Sequence, residues 1–437
     1  MTRALEAEHR RTLWWRTAGP EDAASPAPAP PDGSRVDVAV VGGGFLGLTA
    51  ALHLARRGRR VAVLEAERVG SGASGVNAGF VVPNFAKADP AAVVKRLGRT
   101  RGETLLRMVG MGGTRVFETV RENAIACDAE ETGWLHVAHS PAALEVLRVR
   151  AEAWRSLGRP VRLLEREEAR ALSGARLCAG ALLDESGGML NPLAYARGLA
   201  GVALGAGAMI AEGTRIDAVE REGADWRLRH AGGSLLAARV LLCTNAFRTG
   251  VARRLADAVV PLQVYQAATA PLSAEEARRL APGRHPAADT RANLFTYRLD
   301  AENRLISGGM SMLPVGAHAR MGRMISRRLA DELRLPAVPP LEHVWTGRAA
   351  MVPDFLPHVF EFGPGFLGGI GCNGRGIALT AMLGEALADA SCGVPLAELP
   401  VPSGPARPLP FAPLARIAPS FAIAQARWQD RRIGREA

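Results

Sequence analysis

Residues 40–48 read VVGGGFLGL. They join an apolar, β-branched run, VDVAVV, to a helix-like run, FLGLTAALHLARRG. Such a run suits a parallel strand buried on both faces. Gly42, Gly44 and Gly47 fit the spacing GxGxxG. The first glycine permits a tight turn, the second lets the backbone approach a pyrophosphate, and the third lets helix pack closely on strand. The first N–H groups of the helix then point at the phosphates. Arg56 and Arg57 suit the negative end of the helix dipole, and Gly58 is placed to end the helix. The next strand, RVAVLE, ends at Glu65 and leads into Ala66. An acid at that point accepts hydrogen bonds from a ribose diol and repels a 2′-phosphate, which disfavours NADP. GxGxxG alone is a weak signal, but the whole strand–loop–helix–strand–acid unit is a strong one. It fits NAD and FAD equally.

The stretch after the acid separates the two cofactors. RVGSGASGVNAGFVV is a loop of small residues where a plain NAD domain would continue with regular βαβ units. A loop of this kind lets an extended cofactor run deeper into the protein. Three separated segments, 36–90, 190–260 and 345–398, read as α/β. The third contains GPGFLGGIGCNGRGIALT, again strand, glycine turn and helix. Residues 91–189 and 261–344 mix strands with helices. Helical patterns near 90–122 and 141–157 flank the strand-like GWLHVAHS, and another lies near 320–333. The expectation is an α/β protein: a Rossmann-like nucleotide-binding domain of discontinuous segments, interleaved with an α+β substrate domain containing a mixed or antiparallel sheet. Residues 1–35 form an N-terminal arm with a Pro/Ala linker, and 399–437 form a tail. Trp14 and Trp15 are placed to pin the arm to the body.

Composition narrows the class. The chain has 437 residues, 48% of them apolar, enough for two domains with substantial cores. The net charge is +11, yet the arginines are dispersed rather than clustered beside aromatics, so a solvated surface is expected and no nucleic-acid partner. Five scattered cysteines, without CxxC or a convincing His pair, argue against disulfide scaffolding and structural metal. No apolar run is long enough to span a membrane, and the charged N-terminus has no secretory apolar core. A cytoplasmic protein is expected.

VVGGGFLGL, GSGASGVNAG, GMLNPLAYARGLA, LLCTNAF, YRLDAENRLISGG, WTGRAAMVPDFLPHV and GCNGRGIALT, in that order, resemble the D-amino-acid oxidase family. The bacterial branch with glycine oxidase, sarcosine oxidase and γ-glutamylputrescine oxidase is the nearest in pattern. The resemblance implies non-covalent FAD in a GR2-type Rossmann domain. It assigns to the cofactor Gly42, Gly44, Phe45, Leu46, Gly47, Glu65, Ala66, Ser74, Asn77, Ala78, Gly79, Ile216, Thr244, Asn245, Gly374, Arg375, Gly376 and Ile377. Two positions depart from the pattern: Val76 stands where an arginine is common, and Ala78 replaces a glycine.

The chemistry implied is oxidation of a C–N bond in a small amine or amino acid, with hydride passing to flavin N5 and the imine hydrolysing. Oxygen or another acceptor then takes the electrons. Arg298 aligns with the arginine that binds the substrate carboxylate in glycine oxidase; its alternative is to tether its own turn through Asp300 or Glu302. Tyr297, Trp345, Cys372 and Asn373 complete the substrate-side candidates, Cys372 as packing rather than nucleophile. His136 and His139 read as sheet residues. Lys87 and Lys95 are the only lysines, and both fall outside the segment that supplies the oxygen-activating lysine in sarcosine oxidase, so slow reaction with oxygen is expected. The rival readings are an NAD-dependent dehydrogenase and a non-catalytic flavoprotein subunit.

Overall fold

The strand Ser34–Val41 pairs in parallel on both sides, with Val61–Leu64 and with Gly233–Leu242. The computed structural model describes residues 8, 10–19, 28–311, 315–409, 421, 423–426, 428 and 429. Around this strand a large sheet runs Ser403–Pro405, His358–Gly363, Phe366–Ile370, Gly233–Leu242, Ser34–Val41, Val61–Leu64, Met209–Ala211. The antiparallel strands Ala218–Glu222 and Asp225–His230 attach beside Gly233–Leu242. Alternation along Ser34–Val41 feeds two cores. Val38 and Val40 pack with the helices Phe45–Arg56, Pro192–Gly205 and Gly376–Ser391, while Ala39 and Val41 join Trp226, Leu228 and Phe366 on the opposite face. The helix interfaces are close because glycines face them. A Cβ on Gly384 would lie 2.6 Å from Thr49 Cβ, and one on Gly112 would collide with the Ala378 carbonyl.

A second, mixed sheet runs Leu341–Met351, Val260–Pro271, Arg304–Met310, Thr296–Leu299, Ala287–Asp289, Trp134–Ala138, Gly180–Asp184, Val161–Glu165. Only the pair Ala287–Asp289 with Trp134–Ala138 is parallel. The expected α/β architecture with an interleaved mixed sheet is the one observed. Some details differ from the sequence reading. The helical pattern over 90–122 is two helices, Pro90–Leu97 and Arg99–Glu122, broken at Gly98. The second of them packs on Gly376–Ser391 rather than on the second sheet alone. The strand Leu341–Met351 pairs along its length with Val260–Pro271, so a boundary at 345 passes through a strand. Ser403–Pro405 extends the large sheet into the segment read as tail. Residues 20–27 of the Pro/Ala linker, and most of the tail beyond 409, lie outside the described residues. Among the described residues no helix is long and apolar enough to cross a membrane.

The arm is part of the body. Thr12 caps the short helix Leu13–Thr17 by accepting from Trp15 N at 3.1 Å. Trp14 is buried edge-on to Trp345, with ring centroids 6.0 Å apart. Its indole Nε1 donates to Asn77 O at 2.7 Å. Trp15 stays partly exposed between Arg10 and Arg197. Trp14→Ala should therefore cost about 3–5 kcal/mol of stability. Trp14→Phe keeps most of the ring but leaves the Asn77 carbonyl unpaired, at about 1–3 kcal/mol. Denaturant unfolding checks both, and a Trp14→Ala midpoint equal to wild type would contradict this packing.

Candidate active site

A large cavity, ≈ 1410 Å³, opens beside the glycine loop and extends to the second sheet. That volume exceeds the range of about 300–1,000 Å³ usual for one small ligand. It has room for a cofactor and a substrate together.

At the glycine-loop end the backbone is shaped to receive phosphate. Gly42 has φ 111°, and a Cβ there would meet the Cys243 carbonyl oxygen at 2.8 Å. A Cβ on Gly47 would collide with Gly42 O, so only glycine lets helix Phe45–Arg56 start this close to the strand. Gly44, Phe45 and Leu46 line the cavity where that helix begins, whereas Gly47 does not and acts through packing. Ser74 Oγ accepts from Phe45 N at 2.9 Å, joining the second loop to the helix start. Glu65 receives Gly43 N at 2.6 Å on one oxygen and Glu67 N at 3.0 Å on the other. Burial pushes its pKa up, against those two donors. Each carboxylate oxygen keeps a lone pair for a ligand hydroxyl. Ala66, Ile216, Thr244 and Asn245 line the same end. Thr244 Oγ1 is buried without a partner, and Asn245 sits at φ 50° with its amide on Arg348 O at 3.3 Å. A glycine cradle, a helix start, a buried acid and an orphaned hydroxyl together fit a dinucleotide cofactor.

The loop 73–79 is held by its own side chains and by three distant ones. Asn77 donates to Ala73 O at 3.1 Å and Ser74 O at 2.8 Å and accepts from Gly79 N at 2.8 Å. Asn77 and Ala78 line the cavity; Gly79 does not, and a side chain there would strike Leu190 O. The carbonyls of Val76, Asn77 and Ala78 accept in turn from Trp345 Nε1 at 2.8 Å, Trp14 Nε1 at 2.7 Å and Arg298 Nε at 2.6 Å.

This arrangement corrects three substrate-side expectations. Arg298 is buried outside the cavity lining, with its guanidinium on the carbonyls of Ala78 and Leu190 and 5.0 Å from the centre of the Trp14 ring. Burial pulls its pKa down to about 10. It does not line the cavity, and Asp300 and Glu302 ion-pair with Arg304 instead. Thr296, on the same face of the strand, does line the cavity, while Arg298 passes beneath the flavin-type loop. Tyr297 points into the opposite core, stacked on Phe295, and its hydroxyl donates to Ser173 O. Trp345 is fully buried and its donor is spent on Val76 O.

At the C-terminal glycine turn, Cys372, Asn373, Gly374, Arg375, Gly376 and Ile377 all line the cavity. Asn373 is a structural lock: its Oδ1 accepts from Val352 N at 2.9 Å and its Nδ2 donates to Gly371 O at 2.7 Å. Burial pushes the Cys372 thiol pKa up, which leaves it protonated and a poor nucleophile. All five cysteines are free.

Several lining residues were not assigned to the site from the sequence, His136 among them, which was read as a sheet residue. Trp134 and His136 share one face of a strand, an i, i+2 pairing visible in GWLHVAHS. Ala143, Leu147 and Arg150 follow helical spacing along Pro141–Arg155. Gln266 lies in the strand Val260–Pro271 and lines the cavity, and its Oε1 is buried without a partner. Arg291 is ion-paired with Asp289 and, at 2.6 Å, with Glu332. His136 is buried with Nδ1 3.2 Å from Arg150, and burial reinforced by that charge holds its pKa well below 6.5. Lys87 also lines the cavity, 5.4 Å from the centre of the Phe355 ring, although it lies outside the segment that supplies the lysine in sarcosine oxidase.

Residues 37–390 match the family model DAO, described as FAD dependent oxidoreductase. The chain is 30% identical over 385 residues to γ-glutamylputrescine oxidoreductase of Escherichia coli (strain K12), covering 86% of this chain and 90% of that one. The crystal structure of glycine oxidase from Geobacillus kaustophilus superposes with TM-score 0.68 at 23% identity, over 84% of this chain and 98% of that one. L-proline dehydrogenase from P. horikoshii superposes with TM-score 0.70 at 18% identity, over 84% and 96% respectively. The two structural likenesses speak for the fold.

Glu65→Ala removes a buried acceptor at the cofactor end. Charge-assisted hydrogen bonds are worth about 1.5–3 kcal/mol each, so FAD affinity should fall by about tenfold or more. Equilibrium FAD titration of the apoprotein measures it. Unchanged affinity would remove Glu65 from the cofactor site.

Proposed function

This chain belongs to the DAO family of FAD-dependent oxidoreductases, and we propose that it oxidises the C–N bond of a small amine or amino acid. The observation that carries the reading is the continuity of the cavity from the glycine loop to the wall formed by Trp134, His136 and Gln266. A substrate against that wall shares one continuous cavity with the cofactor. Among the relatives, the names carry γ-glutamylputrescine, glycine and L-proline, all compounds with a C–N bond next to a C–H bond. The family sets aside the NAD-dependent reading.

In the proposed reaction the substrate nitrogen loses a proton, and its lone pair drives hydride from the adjacent carbon. FAD, when bound, supplies the two-electron acceptor for that hydride. The resulting imine takes up water and gives a carbonyl compound and an amine or ammonia. The chain's part is to bind, orient and exclude water. Gln266 lines that wall, with its Oε1 buried and unpaired. His136 is held neutral, and its Nδ1 faces Arg150, so it keeps no charge to repel an ammonium group. Asp289 and Glu332 are both engaged by Arg291. A dedicated protein base is not required when the substrate reacts as the free amine.

We further propose that FAD is held without a covalent bond. The loop 70–82 contains neither His nor Cys, and Cys372 is a protonated thiol. Acid precipitation should leave a colourless polypeptide and a yellow supernatant; flavin retained on the protein overturns this. For the reaction, an anaerobic panel of amines and amino acids should contain at least one member that bleaches the flavin and yields a trappable carbonyl product. If none does while dithionite reduces the same flavin, the non-catalytic reading takes its place.

A further inference from the structure

We propose that the N-terminal arm completes the cofactor site: Trp14 is a positioning residue for the loop 73–79, and docking of the arm and binding of FAD strengthen each other. The proposal concerns the cofactor alone and is independent of which substrate is oxidised. It assigns a role to described residues of the segment 8–19, which precedes the span 37–390 that matches the family model.

The loop residues that meet the arm also face the cofactor space. Val76, Asn77 and Ala78 all line the cavity. Leu13 and Trp14 pack in one cluster with Val76, Trp345 and the half-buried Ala78. Val76 stands where the family pattern commonly has an arginine, and its apolar side chain is what joins the loop to that cluster. Trp14 Nε1 donates to the Asn77 carbonyl at 2.7 Å. From Asn77 the contacts run on to the glycine loop. The Asn77 amide donates to Ala73 O and Ser74 O, and Ser74 Oγ accepts from Phe45 N at 2.9 Å, where helix Phe45–Arg56 begins. A shift of the Asn77 carbonyl thus disturbs the cavity wall and, one contact further, the helix start that is shaped for phosphate.

Of the three donors to carbonyls 76–78, Trp14 stands on the element least able to hold itself. Trp345 and Arg298 belong to strands held in the second sheet by backbone ladders. The described residues of the arm join no ladder, and its helix Leu13–Thr17 has five residues. A helix that short has no stability of its own in water. The arm takes its order from the surface under it. That surface is the Asn77 carbonyl and the apolar cluster, with Asn191 Nδ2 donating to Thr17 Oγ1 at 3.0 Å, Arg197 donating to Gly19 O at 3.0 Å and Thr346 N donating to the Glu8 carboxylate at 2.8 Å. If the docked arm favours the loop geometry that FAD uses, bound FAD favours the docked arm by the same factor, because linkage between two binding equilibria is reciprocal.

The test reads both directions of that linkage on the full chain, without turnover. Amide hydrogen exchange is followed in wild type, FAD-free and FAD-loaded. Peptides covering residues 10–19 should exchange about tenfold more slowly with FAD bound. Residues 161–173, which line no part of the cavity and do not touch the arm, serve as the reference and should change less. In the other direction, FAD is titrated into FAD-free Trp14→Phe, which keeps an aromatic ring but lacks the Nε1 donor. FAD should bind about tenfold more weakly than to wild type, and the effect of FAD on exchange in residues 10–19 should shrink. A Trp14 that only stabilised the fold would weaken FAD-free and FAD-loaded protein alike and leave FAD affinity unchanged. Equal FAD affinity in wild type and Trp14→Phe therefore overturns the proposal. So does arm exchange that is indifferent to FAD, or slowing of equal size in residues 161–173, which is the general stabilisation any ligand gives. The exchange comparison needs only wild type, so it decides by itself if Trp14→Phe fails to fold.

Discussion

The carbonyls of Val76, Asn77 and Ala78 are the point on which the two halves of the molecule meet. They belong to a loop of small residues with little side-chain surface of its own, so its position depends on donors from elsewhere. Those donors are two indoles and a guanidinium, each buried, from the N-terminal arm, the strand Leu341–Met351 and the strand Thr296–Leu299. They also pack on one another: Trp14 lies edge-on to Trp345 and against Arg298. Shifting the loop would leave several buried polar groups unpaired at once, each costing about 1–3 kcal/mol. The large sheet's cofactor loop is thereby tied to the second sheet and to the arm.

That clamp decides what is left for chemistry. Arg298 is spent on backbone carbonyls, and the lowering of its pKa by burial shows the cost that those acceptors offset. The hairpin it stands on still contributes to the cavity through Thr296, one step along the same strand face. Among the described residues that line the cavity, Arg375 makes no ion pair; it stands on a different glycine turn, 4.8 Å from the centre of the Trp134 ring. Asn373 in the same turn resembles the loop residues: its amide holds backbone from two segments and stabilises the left-handed conformation at φ 49°.

The cavity walls differ in kind at the two ends. At the glycine loop they are mostly backbone, with N–H groups, a buried acid and a free hydroxyl. At the second sheet they are side chains: tryptophan, neutral histidine, glutamine and paired arginines. Backbone walls recognise a constant molecule such as a cofactor, and side-chain walls can change from one relative to another without disturbing the fold.

The cofactor end was legible in the residues alone. Gly42, Gly44, Gly47 and Glu65 lie within one strand–helix–strand unit, and the constraints on them are local: a positive φ, a close helix–strand approach, an acid at a strand end. Local constraints leave local signatures, and the order of the remaining motifs carried the fold with them. The substrate end took its form from long-range packing. The donors that hold carbonyls 76–78 lie 63, 220 and 269 residues away along the chain. Whether Arg298 faced a substrate or a backbone carbonyl depended on which distant groups came within hydrogen-bond reach. Spacing within a segment cannot encode that, because the competition between a ligand and a carbonyl for the same guanidinium exists only once the sheets have packed.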